Sequence, residues 1–318
     1  FYPDGLLMKE YVEMQVQPLD EKTGILITPA ENEGMLDLDV NELIKLYKSS
    51  GALYFQGFQS TIEEFEAFTD QFSNDYMDNR GSGSYRDGAK EGVDKSIQNV
   101  AYIYGVGEQR TFHLPLHADR SYVKSQPELM WFMCQRPAET GGQTTVCDGA
   151  ALYNALSDSA KNLFATKRLK YIRHYKDGEW QVLFHTEDRK EVEKYCAEND
   201  LSCNFHDDNS LTTEFLKSAV VTPKYTESPA FVNSIMIQLW QEEDLGRESS
   251  LVRLEDDSRI PDDVMNEVWE VSERLTLNLP WQTGDFVMVD NTRLMHGRRE
   301  FAGNDREVYV RMCRSVDW

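Results

Sequence analysis

Positive charge is scarce in this sequence: 33 Lys and Arg face 55 Asp and Glu, for a formal net charge of −22 at pH 7. Binding a nucleic-acid backbone or an anionic membrane face relies on clustered cations, so neither kind of partner is expected. Cysteine is also sparse. Five are scattered along 318 residues with no Cys-x-x-Cys pair, and Cys134 and Cys147 sit inside apolar, strand-like runs. That usage excludes a disulfide framework and a cysteine-built zinc site, and it points to a soluble protein of the reducing cytoplasm. No apolar run approaches the roughly 20 residues of a membrane-spanning helix. The opening FYPDGLLMKEY lacks the basic stretch and apolar core of a secretory signal, so none is expected. Neither a G-x-G-x-x-G after a strand nor a P-loop occurs, which argues against a nucleotide-binding Rossmann core.

The length permits one large domain over 1–318 with a full core. DVNELIKLYKSS (39–50) reads as an amphipathic helix stopped by Gly51, and ALYFQGF (52–58) as a strand. STIEEFEAFTDQF reads as a second helix, capped by Ser60 or Thr61. Residues 73–95 are polar and glycine-rich, the composition of a lid loop. From 97 onward strand-like segments dominate, among them QNVAYIYGV, TFHLPLHAD, ELMWFMCQRP and TTVCDG. ALYNALSDSAKNLFA (151–165) reads as one helix, RLKYIRHY as a strand, and 176–218 as a charged, irregular insertion. AFVNSIMIQLW reads as a strand and PDDVMNEVWEVSERLTL (261–277) as a helix opened by Pro261. Many short strands with few helices predict a mainly β fold with flanking helices, an α+β sandwich or barrel.

Chemistry is concentrated in two stretches. In LPLHADRS, side chains two apart on a strand share a face, so His117 and Asp119 point one way while Leu114, Leu116 and Ala118 point the other. Alone, H-x-D is a common surface pair. In GDFVMVDNTRLMHGRRE a buried strand and a turn lead to His296. Two imidazoles and one carboxylate from distant strands form the facial triad of non-haem iron oxygenases, with open positions for a bidentate cosubstrate and O₂. Fe(II) so held carries about +1. A dicarboxylate such as 2-oxoglutarate chelating there leaves its second carboxylate facing inward, which demands a nearby arginine and is helped by a hydroxyl. Arg306 and Arg311 in DREVYVRMCR, and Thr144 in TGGQTTV with Thr145 beside it, are the candidates.

These segments, in this order, resemble the Fe(II)/2-oxoglutarate-dependent dioxygenases of the taurine dioxygenase and clavaminate synthase-like group. The similarity runs over roughly 50–314 and includes the strand-then-helix GALYFQGFQSTIEEFEAF. It implies a double-stranded β-helix (jelly roll, cupin-like) core, with His117, Asp119 and His296 as iron ligands. It also implies Thr144 and Arg306 as cosubstrate contacts, with Arg311 the alternative to Arg306. Many relatives carry a second arginine four positions after the first, where this chain has Val310. Related halogenases replace the carboxylate ligand with a small residue, so Asp119 argues for oxygenation. Asn99, Trp131, Arg80 and Arg86 are candidate substrate contacts, the last two as clamps on an anion beneath the lid. His113 shares the parity of His117, His174 reads as structural, and His185 and His206 fall in the charged insertion. The expected activity is oxidation of an unactivated C–H bond in a small amino-acid-like or carboxylate-bearing substrate. Hydroxylation, desaturation or oxidative cyclisation would accompany release of succinate and CO₂. The alternatives are a catalytically silent jelly-roll binding protein and a mononuclear metal hydrolase. Oligomeric state is not legible.

Overall fold

The computed structural model describes residues 14–20, 23–31, 33–77, 94–100, 111–246, 248–303 and 305–318. Short strands rich in β-branched and aromatic residues build two large sheets. The major sheet runs in the order Gln15–Pro18, Ile25–Thr28, Ala52–Phe55, Phe286–Asp290, Leu129–Arg136, Glu307–Cys313, Gln98–Asn99. The minor sheet runs Leu277–Leu279, Thr144–Asp148, Leu294–Arg298, Leu114–His117. All neighbours are antiparallel except Ile25–Thr28 with Ala52–Phe55.

Strand alternation sorts side chains into layers. Met130, Phe132, Cys134, Val308, Val310 and Met312 of the major sheet meet Val146 and Leu294 of the minor sheet. The other parity, including Trp131, Met133 and Tyr309, packs under the helices Val40–Ser50 and Ile62–Thr69. Outside the minor sheet, Leu116, Ala118, Cys147 and Met295 pack against helices that supply Leu152, Phe164, Met236 and Val268. Burying one such side chain contributes about 1.5–3 kcal/mol. A one-residue slip would move a whole set into the wrong layer, so register is tightly specified.

Local signals place the helices as the sequence suggests at three sites. Asp39 caps Val40–Ser50, Thr61 and Glu64 form a capping box on Ile62–Thr69, and Pro261 precedes Asp262–Leu275. Three expectations need correction. The helix expected at 151–165 is two, Gly149–Ala155 and Asp158–Thr166, because Ser157 accepts a hydrogen bond from Ala160 N and starts a new helix. The strand expected at 230–240 is the two-residue strand Ala230–Phe231 followed by the helix Ile235–Glu243. Residues 235–239 of that helix are all buried, so the sequence shows an unbroken apolar run instead of a helical stripe. Of QNVAYIYGV, Gln98–Asn99 form a strand as expected, and 101–105 lie outside the described residues.

The stretch 176–218, expected to be irregular, is ordered into regular elements. It holds the helices Glu179–Phe184 and Arg189–Glu198 and the strands Leu201–Phe205 and Leu211–Lys217. The strands join Leu169–Tyr175 and Ser250–Leu254 in a third sheet. Trp180, Val192, Cys196 and Leu211 form a small core of its own, few enough that charge dominates the composition. Residues 78–93 of the expected lid lie outside the described residues. Among the described residues no helix is long and apolar enough to cross a membrane, and all five cysteines are free thiols.

Candidate active site

His117 ends the strand Leu114–His117, and His296 lies directly opposite it on Leu294–Arg298. The parity that puts Leu294 between the sheets and Met295 outside puts His296 between the sheets too. The two rings are 4.6 Å apart between centroids. Asp119 follows in the turn, its Oδ1 3.7 Å from His117 Nε2 and its Oδ2 3.8 Å from His296 Nε2. One ligand atom from each of the three lies within 4.8 Å of the others. The 3.7 and 3.8 Å separations are longer than hydrogen bonds and within the roughly 4.2 Å that two metal–ligand bonds of about 2.1 Å can span.

The surroundings orient these groups. His117 Nδ1 donates to Pro115 O at 2.8 Å, which fixes the tautomer and leaves the Nε2 lone pair for a ligand role. Asn291, fully buried, clamps the Asp119 backbone: its Oδ1 accepts from Asp119 N at 3.0 Å and its Nδ2 donates to Asp119 O at 3.1 Å. The same amide donates to Pro127 O at 2.9 Å. Ala118, between His117 and Asp119, is held by Asn233 O and by the Ser234 hydroxyl. Gly297 lets the two histidine strands approach, since a Cβ there would meet Leu114 O at 2.5 Å and Thr145 Oγ1 at 2.8 Å.

A cavity of about 890 Å³ opens over the three residues and is also lined by Phe132, Thr144, Arg298 and Arg306. Phe132 stands 5.0 Å from the His296 ring. Strand parity turns Thr144 inward, and Trp281 Nε1 donates to its Oγ1 at 3.0 Å, which leaves the Thr144 O–H to donate elsewhere. Arg306 is 1% exposed, and its Nε donates to Gly142 O at 3.1 Å. Gly142 has φ +70°, and a Cβ on it would meet Arg306 Nε at 3.1 Å, so glycine lets the loop lie against the guanidinium. Burial pushes the Arg306 guanidinium down to about 10, still cationic at neutral pH.

The structure brings His117, Asp119, His296, Thr144 and Arg306 to one cavity, and it places other candidates elsewhere. Arg311 has the outward parity of Tyr309: it donates to Ser96 Oγ and Thr69 Oγ1, pairs with Asp70 at 2.8 Å, and covers the Tyr76 ring at 3.6 Å. It ties the helix Ile62–Thr69 to the major sheet and does not reach the cavity. Trp131 is buried against Phe68 and Phe72 on that same outer face, and its neighbour Phe132 is the one that faces the cavity. Asn99 pairs with Tyr309, and Val100 takes the cavity-lining place. Arg80 and Arg86 lie outside the described residues. Leu114, expected opposite His117, lines the cavity because the ladder to Leu294–Arg298 shifts register there. His174 and His206 both line the cavity and both hydrogen-bond Thr212 Oγ1. Sequence reasoning missed Arg298, two residues after His296, although the same parity was legible. It also missed Asn291, Trp281 and Ser234, whose contacts are all long-range.

A family model for "Taurine catabolism dioxygenase TauD, TfdA family" matches residues 16–314. The chain is similar to the dapdiamide synthesis protein DdaC of Enterobacter agglomerans, at 24% identity over 92% of this chain and 91% of that one. A clavaminate synthase-like protein of Arabidopsis thaliana is 22% identical over 86% and 84%. The structure resembles that of PvcB from Pseudomonas aeruginosa, with a TM-score of 0.60 at 17% identity over 96% and 92% of the two chains. It also resembles a taurine dioxygenase from Burkholderia xenovorans, with a TM-score of 0.58 at 16% identity over 94% and 89%. A model match across nearly the whole chain, over a fold with the same likeness, means that the chain belongs to the TauD/TfdA family of dioxygenases.

Proposed function

We propose that the protein is an Fe(II)- and 2-oxoglutarate-dependent oxygenase acting on a C–H bond of a small amino-acid-like or carboxylate-bearing substrate. In this reading residues 1–318 form one catalytic domain on a double-stranded β-helix core. The convergence of His117, Asp119 and His296 on one cavity carries the reading. The facing major and minor sheets support the core assignment. PvcB, a structural neighbour, is described as an Fe, α-ketoglutarate-dependent oxygenase from an isonitrile synthetic pathway.

The donor set fits Fe(II): two imidazoles, one of them with its tautomer fixed, and a carboxylate whose backbone is clamped. With Fe(II) and 2-oxoglutarate bound, the chemistry supplied is O₂-dependent oxidation of a C–H bond, coupled to decarboxylation of 2-oxoglutarate to succinate. Arg306 holds the distal carboxylate of 2-oxoglutarate by charge-assisted hydrogen bonds, with the Thr144 hydroxyl as a second donor. Phe132 and Leu114 give the cavity apolar wall beside the triad. Hydroxylation, desaturation and ring closure are all open to this arrangement, because the outcome follows from how the substrate is positioned. The hydrolase alternative gains no support, since among the described residues the cluster holds these three ligands and no fourth.

Anaerobic titration with Mn(II) followed by 2-oxoglutarate tests the reading. One equivalent of metal is expected to bind, to increase the affinity for 2-oxoglutarate, and to be lost in His117→Ala and Asp119→Ala. With Fe(II) and O₂, succinate formation is expected in the wild type only. Undiminished metal binding in both variants would leave the assignment without a site.

A further inference from the structure

We propose that Arg173 is the recognition site for the substrate's carboxylate, an inference that rests on the oxygenase reading for what happens at the other end of the molecule. Arg173 lies in the strand Leu169–Tyr175 of the third sheet, between Thr213 and Ser250 of the neighbouring strands. Its guanidinium carbon sits 4.3 Å over the Tyr122 ring, and Nη1 donates to Gln238 Oε1 at 3.0 Å. The Ser250 hydroxyl donates to the same oxygen, and Gln238 is 3% exposed. All four residues line the cavity that contains the metal-ligand triad. The guanidinium is therefore held over an aromatic ring with one of its five N–H donors engaged by described residues.

Arg173 shares with Arg120, also on the cavity lining, the absence of a carboxylate partner among the described residues, and unlike Arg120 it is buttressed by a glutamine and an aromatic ring. Carboxylates are abundant in this chain, and Arg253, Arg293, Arg299 and Arg311 each have one at 2.6–2.8 Å. Among the described residues, none lies within ion-pair distance of Arg173. The cavity lining also inverts the balance of the chain, with five Lys and Arg against four Asp and Glu, Asp119 included, where the whole sequence has 33 against 55. A fork of guanidinium donors on a partly desolvated wall fits a carboxylate bidentately.

The spacing limits the ligand's size. The Ser234 hydroxyl bonds Ala118 O, between the two ligands His117 and Asp119. Gln238 comes one turn later on the helix Ile235–Glu243, about 6 Å along its axis. A carboxylate on Arg173 therefore leaves the carbon to be oxidised several bonds away, which suits an N-acylated amino acid or a dipeptide. Recognition of the acid thus comes from the 169–254 sheet, and the buried Val310 of the major sheet contributes only packing.

The test is calorimetric binding of matched acids and primary amides to the full chain with Mn(II) and saturating 2-oxoglutarate, which occupies the Arg306 end. Suitable pairs are hippurate and hippuramide, N-acetylleucine and its amide, and glycylleucine and its amide. The wild type is expected to bind at least one acid tenfold or more tighter than its amide. Arg173→Gln should abolish that preference and Arg173→Lys should weaken it, both with unchanged 2-oxoglutarate affinity. If Arg173→Gln does not fold, Arg173→Lys is decisive: it must weaken acid binding and leave amide binding alone. No acid preference in any wild-type pair, or a preference that survives the substitution, overturns the proposal. Failure of the oxygenase reading looks different: metal and 2-oxoglutarate would not bind, while the acid–amide difference at Arg173 would persist.

Discussion

Replacing Asn291 by Ala should damage stability and metal affinity together. The side chain is fully buried and makes three hydrogen bonds, to Asp119 N at 3.0 Å, Asp119 O at 3.1 Å and Pro127 O at 2.9 Å. Each is worth about 1 kcal/mol net, so the loss should be about 3 kcal/mol, with a partly buried Asp119 N–H left without its protein acceptor. Urea unfolding measures this as a lower midpoint at constant slope. Because the clamp holds the segment bearing the Asp119 carboxylate, Mn(II) affinity should fall by roughly 10–100-fold, the usual effect of losing an orienting partner. Asn291→Asp keeps the acceptor for Asp119 N–H but turns a carboxylate oxygen toward two carbonyls, so it should be at least as damaging. Wild-type stability in Asn291→Ala would refute the clamp. Lowered stability with unaltered Mn(II) affinity would refute its coupling to the carboxylate.

Arg306→Gln should weaken 2-oxoglutarate binding by roughly 10–100-fold, the worth of one charge-assisted contact, with little change in metal affinity. Arg311→Gln should do the reverse, lowering stability by about 2–4 kcal/mol at unchanged 2-oxoglutarate affinity, because it breaks a buried network. Equal effects of the two on 2-oxoglutarate would contradict the strand parity. Burial holds the Asp290 carboxyl above its ordinary 3.8. The folded state then keeps a proton that the unfolded chain has lost, so the stability contributed by Asp290 falls as pH rises from about 3.8 upward. Asp290→Asn should remove that slope, and urea unfolding between pH 4 and 7 should show the variant gaining on the wild type; a pH-independent difference would contradict it.

The sequence by itself supplied the candidate ligand set. H-x-D and the late His296 are one-dimensional patterns, and alternation along a strand puts His117 and Asp119 on one face without knowledge of partners, whereas Thr144 and Arg306 were candidates by residue type and resemblance. The helix cap at Ser60 or Thr61 was legible for the same local reason, and the structure uses Thr61. Tertiary structure decided what depends on partners distant in sequence. Arg306 and Arg311 are both plausible anion partners along the chain, and only the layer each faces separates them. The apolar run at 235–239 is helical because neighbours bury every side of it, which erases the periodicity that would mark a helix. Asn291 reaches back across 172 residues to Asp119, and Arg173 lines the triad's cavity only because the helix Ile235–Glu243 packs against a strand of both the third sheet and the minor one. Local preference is written in each segment, whereas the meeting of distant segments is set by which faces must leave water together.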